Sequence, residues 1–322
     1  MSRALLETVA RLRDRGTLSQ EQAAFFGRVA RGELVSVRLE LQTALWAGVT
    51  LIAAGAGLLV KANLARLGPA TIGAAIGLAA ALCLWRVART APPFSWGPVP
   101  SPTFAFDYLL LLGVLLLGTD IAWLETQLTV LGPAWPWHLL LLSLVQLAFA
   151  FRYDSRAVLS LALASFAAWR GVSLSLAGGG RFDAHDELLR LNALAVGALF
   201  VAAGLLLRRL DRKAHFEPTF VNLGLLLLLG AAVAGSFTWR GGTESTWGAL
   251  LAVAAATTIL LAYRARRSDC FAQGVIAALL GLLRLAVGLR LGDEFFFFVV
   301  SAGSFGALFL ILRARRRFRE EP

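Results

Sequence analysis

Residues 188–239 read LLRLNALAVGALFVAAGLLLRRLDRKAHFEPTFVNLGLLLLLGAAVAGSFTW. Two blocks, Leu188–Leu207 and Thr219–Trp239, are almost wholly apolar, and the stretch between them carries Arg208, Arg209, Arg212 and Lys213. A block of roughly 20 apolar residues matches the ~30 Å hydrocarbon layer of a bilayer. Neither block alternates with the two-residue period of a membrane β-strand, and in lipid every backbone polar group must be paired within its own segment. The stretch therefore reads as two transmembrane helices joined by a basic loop.

The same reading extends over the rest of the chain. Further apolar blocks fall at Ala44–Ala62, Ala70–Trp85, Phe104–Trp123, Trp137–Phe151, Ala157–Leu176, Thr246–Tyr263, Phe271–Leu291 and Phe295–Leu312, of which Ala70–Trp85 and Trp137–Phe151 are short. The 322 residues are 58% hydrophobic and 16% charged, whereas a soluble domain is nearer half apolar and one quarter charged. The expected fold is all-α: a polytopic membrane bundle of about ten helices over residues 41–312. A cytoplasmic helical hairpin over residues 1–40 precedes it and a basic tail over residues 313–322 follows.

Orientation follows from Lys and Arg, which cytoplasmic connections collect. The segment before the first span has Arg3, Arg11, Arg13, Arg15, Arg28, Arg31 and Arg38, and the tail has Arg313, Arg315, Arg316, Arg317 and Arg319. With the loop residues quoted above, Arg264, Arg266, Arg267, Arg86, Arg89, Arg152 and Arg156, twenty-three fall on one side. The alternate connections hold Lys61, Arg66, Arg181, Arg240 and Arg290. A ten-span inner-membrane protein with both termini in the cytoplasm is expected. The indoles of Trp46, Trp85, Trp123, Trp137, Trp239 and Trp247 near span ends mark the same boundaries.

The net charge of +11 belongs with those connections, where anionic lipid head groups attract it, and no nucleic-acid-binding motif accompanies it. Membrane lipids are the expected partners, and nucleic acid is not. Cys83 and Cys270 are far apart, so neither a disulfide nor a zinc site is expected. No cofactor or metal is implied. The polar stretch Met1 to Glu40 lacks the apolar core of a cleavable signal peptide.

Before the membrane, Leu5, Leu6, Val9 and Leu12 fall at helical spacing, Gly16 suits a helix stop, and Ser19 with Gln22 fits a capping box. Ala23, Phe25, Phe26 and Val29 continue a second helix, leaving an apolar surface for lipid, the bundle or a cytoplasmic protein partner. The hairpin pattern Leu-x-x-x-Gly-x-Leu-Ser-x-Glu-Gln over Leu12 to Gln22, and a Gly-rich first span ending in Ala62-Asn63 with Lys61 before them, resemble bacterial membrane proteins of domain of unknown function 2157. The likeness covers roughly the first ninety residues, with Leu64 where that family carries Trp. It implies a multi-spanning bacterial protein of unestablished activity and assigns no catalytic residue.

Ionisable residues inside spans cost about 2.5–3.5 kcal/mol on insertion scales and are functional candidates. Asp120, Arg170 and Arg284 meet that description, with Asp107, Glu125 and Lys61 near span ends. At 1.5 Å per residue Arg170 and Arg284 lie roughly 20 Å, and Asp120 roughly 24 Å, from the cytoplasmic ends of their helices. Arg284 shares a face with Ala277, Gly281 and Gly288, small residues that let another helix approach. A guanidinium there needs a carboxylate or backbone carbonyls, so an Asp120–Arg284 or Asp120–Arg170 pair is expected. Asp120 and Glu125 point about 140° apart and do not converge as a catalytic pair. Gly73 and Gly77 form a Gly-x-x-x-Gly for close helix packing.

Gly178, Gly179 and Gly180 lack the Lys-Ser/Thr of a phosphate-binding loop. No Gly-x-Ser-x-Gly or His-Glu-x-x-His motif occurs, which removes the usual warrant for hydrolytic and metal-dependent enzymes. Three functional expectations remain. One is a transporter-like bundle with an outward-facing polar site for a small anionic solute around Asp120, Arg170, Arg284 and Glu125. The others are a non-catalytic scaffold or regulator acting through the hairpin, and a membrane-embedded lipid-modifying enzyme.

Overall fold

The computed structural model describes residues 11–14, 16, 19–31, 51, 55, 68–177, 187–237, 244–289 and 292–320. The first expected span, apart from Leu51 and Gly55, lies outside these residues, as do Trp46, Lys61, Asn63, Trp239 and the glycine run 178–180. The chain divides into Met1–Gly68 and Pro69–Pro322.

In the first unit, residues 11–14 are helical, and the chain turns at Gly16 with φ +70°, a left-handed conformation that glycine adopts without Cβ strain. Helix α1 (Gln20–Arg31) begins with the reciprocal cap expected from the sequence. The Gln22 amide donates to Ser19 Oγ at 3.2 Å, and the Ser19 amide donates to Gln22 Oε1 at 3.0 Å.

Among the described residues, the second unit is a bundle of nine α-helices: α2 (Pro69–Thr90), α3 (Phe104–Leu128), α4 (Pro136–Tyr153), α5 (Arg156–Ala177), α6 (Glu187–Arg209), α7 (Glu217–Ser236), α8 (Glu244–Arg264), α9 (Ser268–Gly288) and α10 (Asp293–Glu320). Among the described residues there is no strand. Every apolar block after the first became one helix. Eight of the nine are long and apolar enough to cross a membrane. The exception is α4, whose 18 residues include Pro136, His138, Gln146 and Arg152 and rise only about 27 Å.

Consecutive helices pack as pairs, α2 with α3, α4 with α5, α6 with α7 and α8 with α9, while α7 also meets α8 and α9, and α10 lies against α9. In the α6–α7 pair two helix backbones meet directly. A Cβ on Gly197 would stand 2.7 Å from the Gly224 carbonyl oxygen, backbone against backbone, so both positions require glycine. Between α4 and α5 the contact is polar and enclosed: Ser143 Oγ donates to the Ala162 carbonyl at 2.9 Å, and Ser165 Oγ donates to the Gln146 side-chain oxygen at 2.9 Å. With no water in the bilayer core, such groups must be satisfied inside the protein.

The core residues Leu110, Val114, Val158, Leu159, Phe200 and Phe220 join α3, α5, α6 and α7, and Leu229, Leu251, Ala255 and Ala277 join α7, α8 and α9. The outward faces are as apolar as the core, with Leu226, Leu282, Leu199 and Phe305 all exposed mid-helix. Apolar surface of that extent is stable against lipid and not against water. The protein is a multi-pass helical membrane protein.

Contacts between connections show which of them share an end. Loop 91–103 is bound to the α4–α5 and α6–α7 turns, the α6–α7 turn to the α8–α9 turn, and the C-terminal half of α10 to Tyr263 at the end of α8. The turns and tail joined here are arginine-rich, and loop 91–103 directly follows Arg86 and Arg89 of α2, so among the described residues these basic stretches gather at one end. We call this the basic end.

Candidate functional site

At the basic end the α4–α5 turn places Asp154 in the left-handed region with φ +60°, and the α6–α7 turn does the same for Lys213 with φ +48°. Both turns aim their side chains inward. Asp154 Oδ1 accepts from Lys213 Nζ at 2.9 Å and lies 2.5 Å from His215 Nε2, while Asp154 Oδ2 accepts from the Val99 amide at 2.5 Å. The Lys213 side chain is 0% exposed and that of Asp154 4%. The Lys213 amide donates to the Trp96 carbonyl at 2.7 Å, and its ammonium stands 5.5 Å from the Phe94 ring centroid. Burial alone would raise the Asp154 pKa. The Val99 amide, the Lys213 ammonium and His215 outweigh it and hold the carboxyl below its usual range.

Beside this network opens a cleft of about 560 Å³ lined by Asp107, Tyr108, Asp154, Arg156 and His215. Asp107 occupies the first turn of α3, as expected, and accepts from Ser101 Oγ at 2.6 Å. The sequence reading missed Asp154, Lys213 and His215, because they lie in short connections where charge is ordinarily solvated. The available signal was that Lys213 is one of only two lysines and His215 one of three histidines. Neighbouring turns are tied by a second buried carboxylate, Glu217 at 4% side-chain exposure, bridged to Arg267.

Near the opposite end the expected intramembrane residues take other partners than those foreseen. Arg170 Nε donates to Asn192 Oδ1 on α6 at 3.1 Å, with the guanidinium 5.5 Å from the Trp169 ring. Arg284 Nε donates to the Ser236 carbonyl on α7 at 2.5 Å. Arg284 therefore faces protein, as its small-residue stripe implied, but bonds backbone and not Asp120. Among the described residues no ion pair includes Asp120. The reason is azimuthal: depth along a helix gives height in the membrane, not which helix stands alongside.

Asp120 instead occupies the notch made by the Gly73-x-x-x-Gly77 stripe of α2. A Cβ on Gly77 would stand 2.9 Å from Asp120 Oδ2. Asp120 Oδ1 is buried with no hydrogen-bond partner. Three residues on, Trp123 Nε1 donates to the Pro69 carbonyl at 3.0 Å and closes the same helix pair. Glu125 caps the α3–α4 turn, accepting from the Leu131 amide at 3.0 Å and the Gly132 amide at 2.9 Å, with His138 Nδ1 at 3.5 Å. Asp120 and Glu125 thus serve separate contacts.

A further arginine was missed. Arg190, in the first turn of α6, is buried and lies 5.4 Å from the ring of Trp247. Trp247 was expected to mark a head-group boundary, yet it is 5% exposed and packs on Gly235.

Among the described residues no group of three or more His, Cys, Asp and Glu side chains could hold a metal ion. The arrangement is that of a helical membrane bundle with charged groups buried near both ends. The chain matches no family model, no curated protein and no solved structure.

Proposed function

We propose that this is a transporter-like bundle of a bacterial inner membrane, with both termini in the cytoplasm, that takes a small anionic solute from the outer side. The observation that carries the reading is Arg170. Its described partners, Asn192 and the Trp169 ring, are neutral, so no carboxylate among the described residues offsets its charge. A guanidinium held in place by neutral groups in a low-dielectric setting attracts an anion strongly. Asp120 provides a membrane-embedded carboxyl for proton coupling.

The test is uptake of radiolabelled acetate, succinate and phosphate into liposomes carrying the full chain. Uptake of at least one is expected, abolished by Arg170→Gln and partly kept by Arg170→Lys, with the melting temperature unchanged. Equal rates in empty and loaded liposomes, or full activity of Arg170→Gln, would overturn the proposal.

A second reading rests on α1, where Phe25 and Phe26 are 49% and 44% exposed with ring centroids 5.8 Å apart. Paired exposed aromatics suit a protein partner. Under that reading, removing Ser2 to Gly32 abolishes a specific crosslink in cells and leaves the bundle intact.

A further inference from the structure

A groove of about 530 Å³ runs down the bundle between α6, α7 and α8 from its basic end. Its walls are apolar, including Leu194, Val201, Leu225, Leu250 and Leu261, and its mouth carries Arg208, Glu217, Arg267 and Cys270. From Arg208 to Leu194 on α6 the helix rises about 21 Å, deeper than the ~15 Å of one hydrocarbon leaflet. The groove therefore begins at head-group level and continues past the depth at which acyl chains end.

We propose that this groove is a binding site for one anionic glycerophospholipid, its acyl chain along the α6–α8 wall and its phosphate at Arg208 and Arg267. Charge complementarity selects the ligand. Glu217 is already bridged to Arg267, so the mouth keeps the positive charge of Arg208, and Arg209, Arg264 and Arg266 are exposed beside it. Basic recesses between transmembrane helices recognise anionic head groups in this way. A ligand without chains, such as inorganic phosphate, would leave the apolar length of the groove unused. The Arg267–Glu217 bridge fixes one guanidinium before the lipid arrives, which lowers the ordering cost of binding. The site does not depend on which compartment the basic end faces, nor on the solute proposed above.

Native mass spectrometry of the full chain in detergent tests this, with phosphatidylglycerol, phosphatidylethanolamine of the same chains, and inorganic phosphate as probes. One retained phosphatidylglycerol is expected, preferred over phosphatidylethanolamine, with no phosphate adduct. Arg208→Gln, at an exposed position, should lower its occupancy about fivefold. Thr257→Phe, exposed on the groove wall, should remove the adduct of either lipid without changing the melting temperature. Equal retention of the two lipids, or insensitivity to Arg208→Gln, would overturn the anionic assignment. Retention unaffected by Thr257→Phe would overturn the location, and phosphate binding alone would overturn a lipid ligand.

Discussion

Asp154 and Lys213, 59 residues apart, meet at 2.9 Å across two turns, and the lysine side chain that bridges them is wholly enclosed. The pair binds loop 91–103, the α4–α5 turn and the α6–α7 turn into one polar layer at the basic end. Breaking a buried pair by removing one partner leaves an uncompensated charge.

Lys213→Met should therefore cost about 3 kcal/mol, the low end for a buried pair because the Val99 amide and His215 still serve Asp154. Asp154→Asn combined with Lys213→Met should cost less than the sum of the single changes, since the double variant leaves neither charge unpaired. Thermal unfolding in detergent of the four proteins of the cycle measures this.

The same carboxylate sets an acid limit. Its folded pKa lies below the unfolded value, so its contribution is fully present above about pH 4, the unfolded range, and is lost as pH falls through the lower folded value. The stability advantage of the wild type over Asp154→Asn should shrink as pH falls below about 4 and vanish as it passes the lower folded value. A difference that stayed constant from about pH 4 down to about pH 2 would contradict this.

Two glycines should respond differently to the same substitution. At Gly77 a Cβ meets only the Asp120 carboxylate, so Gly77→Ala should be destabilising alone and largely rescued by Asp120→Ala. At Gly197 the neighbour is the Gly224 backbone, which no side-chain change can relieve, so Gly197→Ala should deplete the folded protein from membranes. Gly230, with nothing within 4 Å, should accept alanine. Membrane abundance and melting temperature of the variants decide.

At the N-terminus, Ser19→Ala removes the acceptor of the Gln22 amide. A helix cap is worth about 1 kcal/mol, so hydrogen exchange over residues 20–26 should speed up about fivefold. Exchange within α6 and α7 should not change.

Helix content was legible because lipid imposes a length and a composition that a sequence shows directly. The helices nonetheless run past the apolar blocks: Ala70–Trp85 became Pro69–Thr90, with Arg89 folded 4.4 Å over Trp85 at its end. Basic and aromatic residues there extend to head-group level, where they no longer read as apolar. Lateral arrangement was not legible. Arg284 and Asp120 were matched by depth, but Asn192, the Ser236 carbonyl and the Gly73–Gly77 notch are fixed by which helices are neighbours. Gly73 and Gly77 were read as packing residues and are so, yet nothing in that spacing announced that a carboxylate would fill the gap.

The proposed topology puts the arginine-rich connections of the membrane bundle on the cytoplasmic face. Alkaline phosphatase fused after Thr129, Leu210 and Ala265 in living bacteria tests it most directly. The account predicts activity after Thr129 alone. Activity after Leu210 or Ala265, or inactivity after Thr129, would contradict it.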